Sequence, residues 1–211
     1  MDIDWLKTEY RKKRNSIAER LKDFKRVYRK DDKDIFAELA YCICTAQAKA
    51  EEADRAIGAL RTKGLLYKGS AGEIKPFLRY VRFWNKKAEY IVKARRAFTN
   101  GGRMRLKEAF EGLTPVQLRE RLAENVLGLG YKEASHFLRN IGLGSELAIL
   151  DRYILRCLSG LKVVRRIPSS LTRKKYLAIE EKMKRFSDRV GIPMDHMDLL
   201  LWSSQTGRIF K

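Results

Sequence analysis

Asn125-Val126-Leu127-Gly128-Leu129-Gly130-Tyr131-Lys132-Glu133-Ala134-Ser135-His136-Phe137-Leu138 is the stretch that decides how this 211-residue chain folds. Upstream, Thr114, Pro115 and Gln117 give a cap, a first-turn proline and a capping-box glutamine, so a helix is expected from Pro115 to about Ala123. Downstream, Ala134, Phe137, Leu138 and Ile141 fall on one face of a second helix. Gly128 and Gly130 between them let the backbone take positive φ and let a phosphate come close. The amides of the hairpin and of the next helix N-terminus then converge on one anion, with the helix dipole adding to the attraction. Such a contact is independent of base sequence, so it positions a nucleic acid without reading it. Taken alone, a Gly-x-Gly favours a helix-turn-helix corner with glycine as C-cap.

Helical spacing extends outward from this stretch in both directions. Ile17, Leu21, Phe24 and Tyr28 repeat at three and four residues on a very basic first helix, and Ile35, Phe36, Leu39, Ala40 and Ile43 do so on the second. Ser70 with Glu73 forms a capping box ahead of Ile74, Phe77, Leu78 and Val81. Glycines at 64, 101, 102, 142 and 191 read as stops, and Pro168 and Pro193 stand in turn-like stretches before the last two helices. No sustained period-two alternation is present, nor any solenoid repeat or long linker. The fold class is therefore all-α, a compact bundle of about nine to eleven helices for this length.

The formal net charge of +20 is spread along the chain and draws polyanions, of which nucleic acid is the commonest. A solvated basic surface on a ribosome-associated or heat-adapted protein carries the same signature. No run of about 18 apolar residues occurs, and the charged N-terminus lacks a signal-peptide core, so a cytoplasmic protein with no membrane partner is expected. Cys42, Cys44 and Cys157 form neither an even disulfide set nor a four-cysteine cluster, and only His136 and His196 are available beside them. Reduced core cysteines and no metal or other cofactor are expected.

Leu127-Gly128-Leu129-Gly130-Tyr131-Lys132 resembles the hairpin of the helix-hairpin-helix glycosylase superfamily, and Ala148-Ile149-Leu150-Asp151-Arg152-Tyr153 supplies the aspartate that follows it in that superfamily. The nineteen positions from Lys132 to Asp151 leave room for a helix of about three turns and a return to the same cleft. More narrowly, the run from Leu127 to Leu158, and Val81-Arg82-Phe83 with Asn85-Lys86-Lys87-Ala88, look like the type-2 8-oxoguanine DNA glycosylases of archaea and some thermophilic bacteria. The resemblance implies two closely packed helical subdomains with the hairpin at their cleft. One would span residues 31–143, with the hairpin at 125–132, and the other residues 1–30 plus 144–211. It also implies a monomer that acts on double-stranded DNA containing 8-oxoguanine, in a prokaryotic cytoplasm at the nucleoid.

Under that resemblance Lys132 is the nucleophile at C1′ of the sugar and Asp151 the carboxylate that stabilises the developing cation. An amine nucleophile implies a Schiff base and β-elimination, hence both glycosylase and lyase activities. At its free pKa of about 10.4 Lys132 would attack poorly, so a helix N-terminus, like charge and a partly dry cleft are expected to favour the neutral amine. Read singly, Lys132 also fits a phosphate contact and Asp151 an N-cap of the helix through Tyr153, Leu155 and Leu158; the aspartate can serve as both cap and catalyst.

A flipped base needs an aromatic face, for which Phe83 and Trp202 are the candidates, although aromatics at helical spacing commonly belong to a core. The resemblance implies that the terminal Lys211 reaches the base, where an acceptor facing the N7 hydrogen of 8-oxoguanine would reject guanine. Outside that resemblance such a lysine reads as a frayed tail. Gln47 lies where related enzymes fill the gap left by the flipped nucleotide, and Arg82, Gly128 and Gly130 complete the expected DNA contacts. Three rivals stand beside this reading: a non-catalytic hairpin module, a monofunctional glycosylase that relies on the aspartate alone, and a ribosome-associated protein.

Overall fold

The computed structural model describes residues 1–209. Lys211, expected at the base, lies outside them. The fold is all-α, with twelve α-helices among the described residues and one two-stranded ribbon. The expected count was lower because a short helix follows Gly64, read as a stop, and because the helix read from the Ser70–Glu73 capping box through Val81 is broken into a four-residue helix and a 3-10 turn. These are α4 (Leu65–Lys68), α5 (Ala71–Ile74), which starts at the expected Ser70–Glu73 capping box, and Lys75–Leu78. Gly101 and Gly102, read as a stop, both take positive φ and turn the chain between Thr99–Asn100 and Arg103–Met104, which is what a two-residue hairpin turn requires.

Two apolar clusters organise the molecule. The first is built around α2 (Asp32–Thr45), whose residues from Ile35 to Thr45 are almost all buried, on α3 (Ala50–Thr62), α6 (Trp84–Ala97), α7 (Leu106–Phe110), α8 (Pro115–Asn125) and α9 (Tyr131–Asn140). A helix apolar on every side must lie inside others, and α2 packs against α3, α6 and α9. The second cluster joins the apolar stripe Leu6, Ile17, Leu21 and Phe24 of α1 (Ile3–Arg29) to α10 (Arg152–Gly160), α11 (Arg173–Val190) and α12 (Met194–Thr206). The chain passes from one cluster to the other between Leu147 and Ala148, just before Asp151. No helix among the described residues is long and apolar enough to cross a membrane.

Candidate active site

Helix α8 ends at Asn125, and a turn closed by Leu129 N–H donating to Val126 O at 3.1 Å leads into α9. The two hairpin glycines do different work. Gly128 has φ +89°, and a Cβ there would stand 2.8 Å from the Tyr90 ring of α6, so its missing side chain serves packing inside the protein. Gly130 instead has extended backbone (φ −98°, ψ −171°) as the N-cap of α9, a correction to the expectation of positive φ at both. The carboxylate of Glu133 accepts from Gly130 N–H at 3.3 Å. The next amides, those of Tyr131 and Lys132, belong to the first turn and have no intrahelical acceptor, which leaves them for an anion.

Lys132 therefore leaves the first turn of α9 with its side chain about a quarter exposed. Its Nζ lies 2.9 Å from Glu133 Oε1, so a proton acceptor stands beside the amine. The expectation of a neutral amine, favoured by the helix dipole, like charge and a partly dry cleft, did not include this carboxylate partner. Asp151 caps α10, accepting from Ile154 N–H at 2.8 Å. Burial pushes its carboxyl above the usual aspartate value, while the α10 amides of Ile154 and Tyr153 and the charge of Lys132 pull the other way. Lys132 thus acts on Asp151 across a shared space, and the carboxylate that caps α10 also lines that space.

That space is a cleft of about 1260 Å³ lined by both residues. It exceeds the roughly 300–1,000 Å³ of small-molecule pockets, so it suits a segment of polymer better than a metabolite. Gln47, Arg82 and Trp202 line it as well. Gln47 sits in the turn after α2 at φ +55°, a left-handed backbone uncommon outside glycine. Trp202 projects from α12 one turn beyond Asp198, against the second cluster. Phe83 does not line the cleft: it is half exposed at the start of α6, with φ +60° and the Arg82 guanidinium 4.8 Å above its ring. The exposed Tyr80 is the aromatic side chain of that stretch which does face the cleft. The basic side chains of Lys49, Arg152, Arg156 and Arg208 surround the opening.

The sequence model of the 8-oxoguanine DNA glycosylase family matches residues 17–192. The chain belongs to the 8-oxoguanine DNA glycosylase family. It is 47% identical over 204 residues to the 8-oxoguanine DNA glycosylase/AP lyase of Fusobacterium nucleatum, covering 96% of this chain and 94% of the relative. The 8-oxoguanine DNA glycosylase of Thermotoga maritima superposes with a TM-score of 0.88 at 33% identity, covering 99% of this chain and 98% of that one. The Methanocaldococcus jannaschii glycosylase/lyase, in complex with a 15mer DNA containing 8-oxoguanine, superposes with a TM-score of 0.86 at 34% identity, over 98% of this chain and 99% of that one.

Three features of this family member were missed in the sequence. Arg139 of α9 donates to Asp198 of α12 at 2.6 Å in a buried ion pair on the cleft wall, and its guanidinium also lies 5.0 Å from the Phe24 ring. Burial pushes Asp198 up to about 6 against the pull of Arg139. The signal was available, since Asp198 interrupts an apolar run of Met197, Leu199, Leu200 and Leu201. Lys87 of α6 is buried and donates to Cys44 O at 2.7 Å and Ala46 O at 2.6 Å, which fastens the end of α2 just before Gln47. Burial pulls its ammonium down to about 8. Glu133, beside the amine, is the third. Cys42, Cys44 and Cys157 are free and buried, and no group of three or more His, Cys, Asp or Glu side chains suited to a metal occurs among the described residues.

Proposed function

We propose that this protein removes 8-oxoguanine from double-stranded DNA and then cuts the strand, with Lys132 as nucleophile and Asp151 as the carboxylate that stabilises the transition state. The observation that carries the reading is the convergence of those two side chains on one cleft within electrostatic reach of each other. The amine of Lys132, its proton passed to Glu133, forms a bond to C1′ as the C1′–N9 bond breaks and the electron pair leaves with the base, which is protonated. Asp151 opposes the positive charge that develops at C1′. The aminal opens by breaking C1′–O4′, giving a Schiff base on Lys132. Loss of a C2′ proton then expels the 3′ phosphate by β-elimination, and water releases the lysine.

Delivery of the damaged base requires the nucleotide to leave the stack. Trp202 supplies a ring in the cleft, Tyr80 an exposed one at its edge, and Gln47 a polar side chain for the vacated position. The proposed role of Lys211 at the N7 hydrogen rests on the family resemblance, Arg82 is assigned to the duplex at the cleft rim, and Phe83 to the duplex outside the cleft. The hairpin at Gly128 and Gly130 holds a backbone phosphate, and the protein acts as a monomer on chromosomal DNA in the cytoplasm. The test is borohydride trapping during reaction with 8-oxoguanine duplex. A covalent protein–DNA band is expected, and it is expected to vanish in Lys132→Gln. No band with the unaltered protein points to a non-catalytic hairpin module, and a band that persists in Lys132→Gln removes the nucleophile assignment.

A further inference from the structure

Behind the cleft lies a buried polar cluster that the proposed reaction leaves unused. Tyr176 of α11 is 2% exposed, and its hydroxyl donates to Ala148 O at 2.6 Å while accepting from Leu150 N–H at 3.3 Å. The hydroxyl of Ser135, one turn after Lys132 on α9, stands 3.5 Å from the Tyr176 hydroxyl oxygen. One turn along α11, Glu180 accepts from Ala148 N–H at 2.8 Å and from Arg119 of α8 at 2.6 Å. Arg119 is 1% exposed and lies 5.2 Å from the Tyr131 ring and 5.8 Å from the Tyr176 ring.

The stretch 147–150 has neither helix nor strand of its own, yet it delivers Asp151 to the cleft. Its register is held from the side: α11 side chains bond both backbone groups of Ala148 and the amide of Leu150. The same side chains reach α8 through Arg119, and α9, which carries Lys132, through Ser135. Burial raises the Tyr176 hydroxyl far above its usual value, so it stays protonated and keeps donating across the working pH range. Buried hydrogen bonds of this kind hold the segment rigidly, and of this cluster's buried side-chain polar atoms Arg119 Nε alone has no hydrogen-bond partner among the described residues.

We propose that Tyr176, backed by Glu180 and Arg119, is a positioning residue that sets the separation between the Lys132 amine and the Asp151 carboxylate. The inference rests on the reaction proposed above. A displaced Asp151 harms the step in which charge develops at C1′. It harms much less the cutting of a preformed abasic site, whose aldehyde carbon needs only the amine. Tyr176 therefore governs base excision more than strand cleavage.

Tyr176→Phe keeps the ring against Arg119 and removes the hydroxyl. Single-turnover excision of 8-oxoguanine is expected to fall by roughly 10- to 100-fold, the cost of a small misplacement of a catalytic group. Lyase activity on a preformed abasic duplex is expected to stay within about threefold, with little change in KM. In an Asp151→Asn background the same substitution is expected to cost nothing further, because it acts through the carboxylate. Equal losses of excision and lyase activity, or an undiminished cost in the Asp151→Asn background, overturn the proposal. If melting shows that Tyr176→Phe does not fold, Glu180→Gln loosens the same segment and is put to the same comparison. An unaltered protein that forms no borohydride adduct refutes the reaction itself. A trapped adduct together with an unchanged excision-to-lyase ratio in the variant refutes only the positioning role.

Discussion

Along the inner wall of the cleft Asp151, Arg139 and Asp198 are fixed by helix caps and buried pairing, whereas at the rim Gln47, Tyr80 and Arg82 stand on turns and helix ends facing solvent. The wall is complete before substrate arrives, since each charged group already has partners. The rim has chain geometry without occupants: a glutamine at positive φ, held from behind by Lys87, and an exposed tyrosine. The contrast matches two tasks. Charge stabilisation in a reaction needs dipoles already in place, because reorganising them during the step costs rate. Holding an opened duplex needs side chains that gain their contacts only when the DNA comes.

Three measurements break or sharpen this contrast. The largest effect is expected for Asp151→Asn, because asparagine caps a helix about as well as aspartate but carries no charge. Excision is expected to fall about 10³-fold, close to 4 kcal/mol of transition-state stabilisation, with an unchanged melting temperature. Equal losses of stability and activity would mean that Asp151 serves the fold alone.

Next is Arg139→Met, which leaves Asp198 buried without its cation and is expected to cost about 3 kcal/mol of stability at pH 8 in urea unfolding. The deficit is expected to shrink toward pH 5. Asp198 has its folded pKa raised to about 6, above the value in an unfolded chain, so the folded state binds the extra proton as pH falls and is stabilised in that window. Removing Arg139 takes away the charge that opposes this rise, so the variant gains more on acidification than the unaltered protein does. A deficit that grows in acid contradicts the assignment.

The smallest effect is expected at the rim. Gln47→Ala should weaken lesion-duplex binding by about tenfold, near 1.4 kcal/mol, and leave lyase activity on a single-stranded abasic site unchanged. A loss on the single strand of the same size places Gln47 in the reaction and not in the duplex gap.

The wall and the rim also differ in how much of them the sequence revealed. The hairpin and the helix carrying Asp151 were legible because capping and apolar spacing are local, so Thr114, Gln117 and the stripe Ala134, Phe137 and Leu138 state them within a few residues. The conformation of Gly130 was not legible: the glutamate three positions on makes it a capped helix start, and a glycine pair alone does not distinguish the two uses. The break in the helix expected from Ser70 to Val81 was hidden because Ile74, Phe77, Leu78 and Val81 keep helical spacing across the interruption. Phe83 and Tyr80 could not be sorted, since a left-handed residue at the head of α6 swings one ring away from the cleft and periodicity carries no such information. The Arg139–Asp198 pair and the Tyr176 clamp join residues far apart in the chain, and only the folded structure brings them together.

Peptide mapping of the borohydride-reduced protein–DNA adduct is the most direct measurement of the central claim, that one amine in this cleft becomes bonded to the sugar. The account predicts a single modified peptide with the deoxyribose remnant on Lys132. A remnant on Lys87, on the chain's α-amine or on any lysine outside the cleft contradicts it.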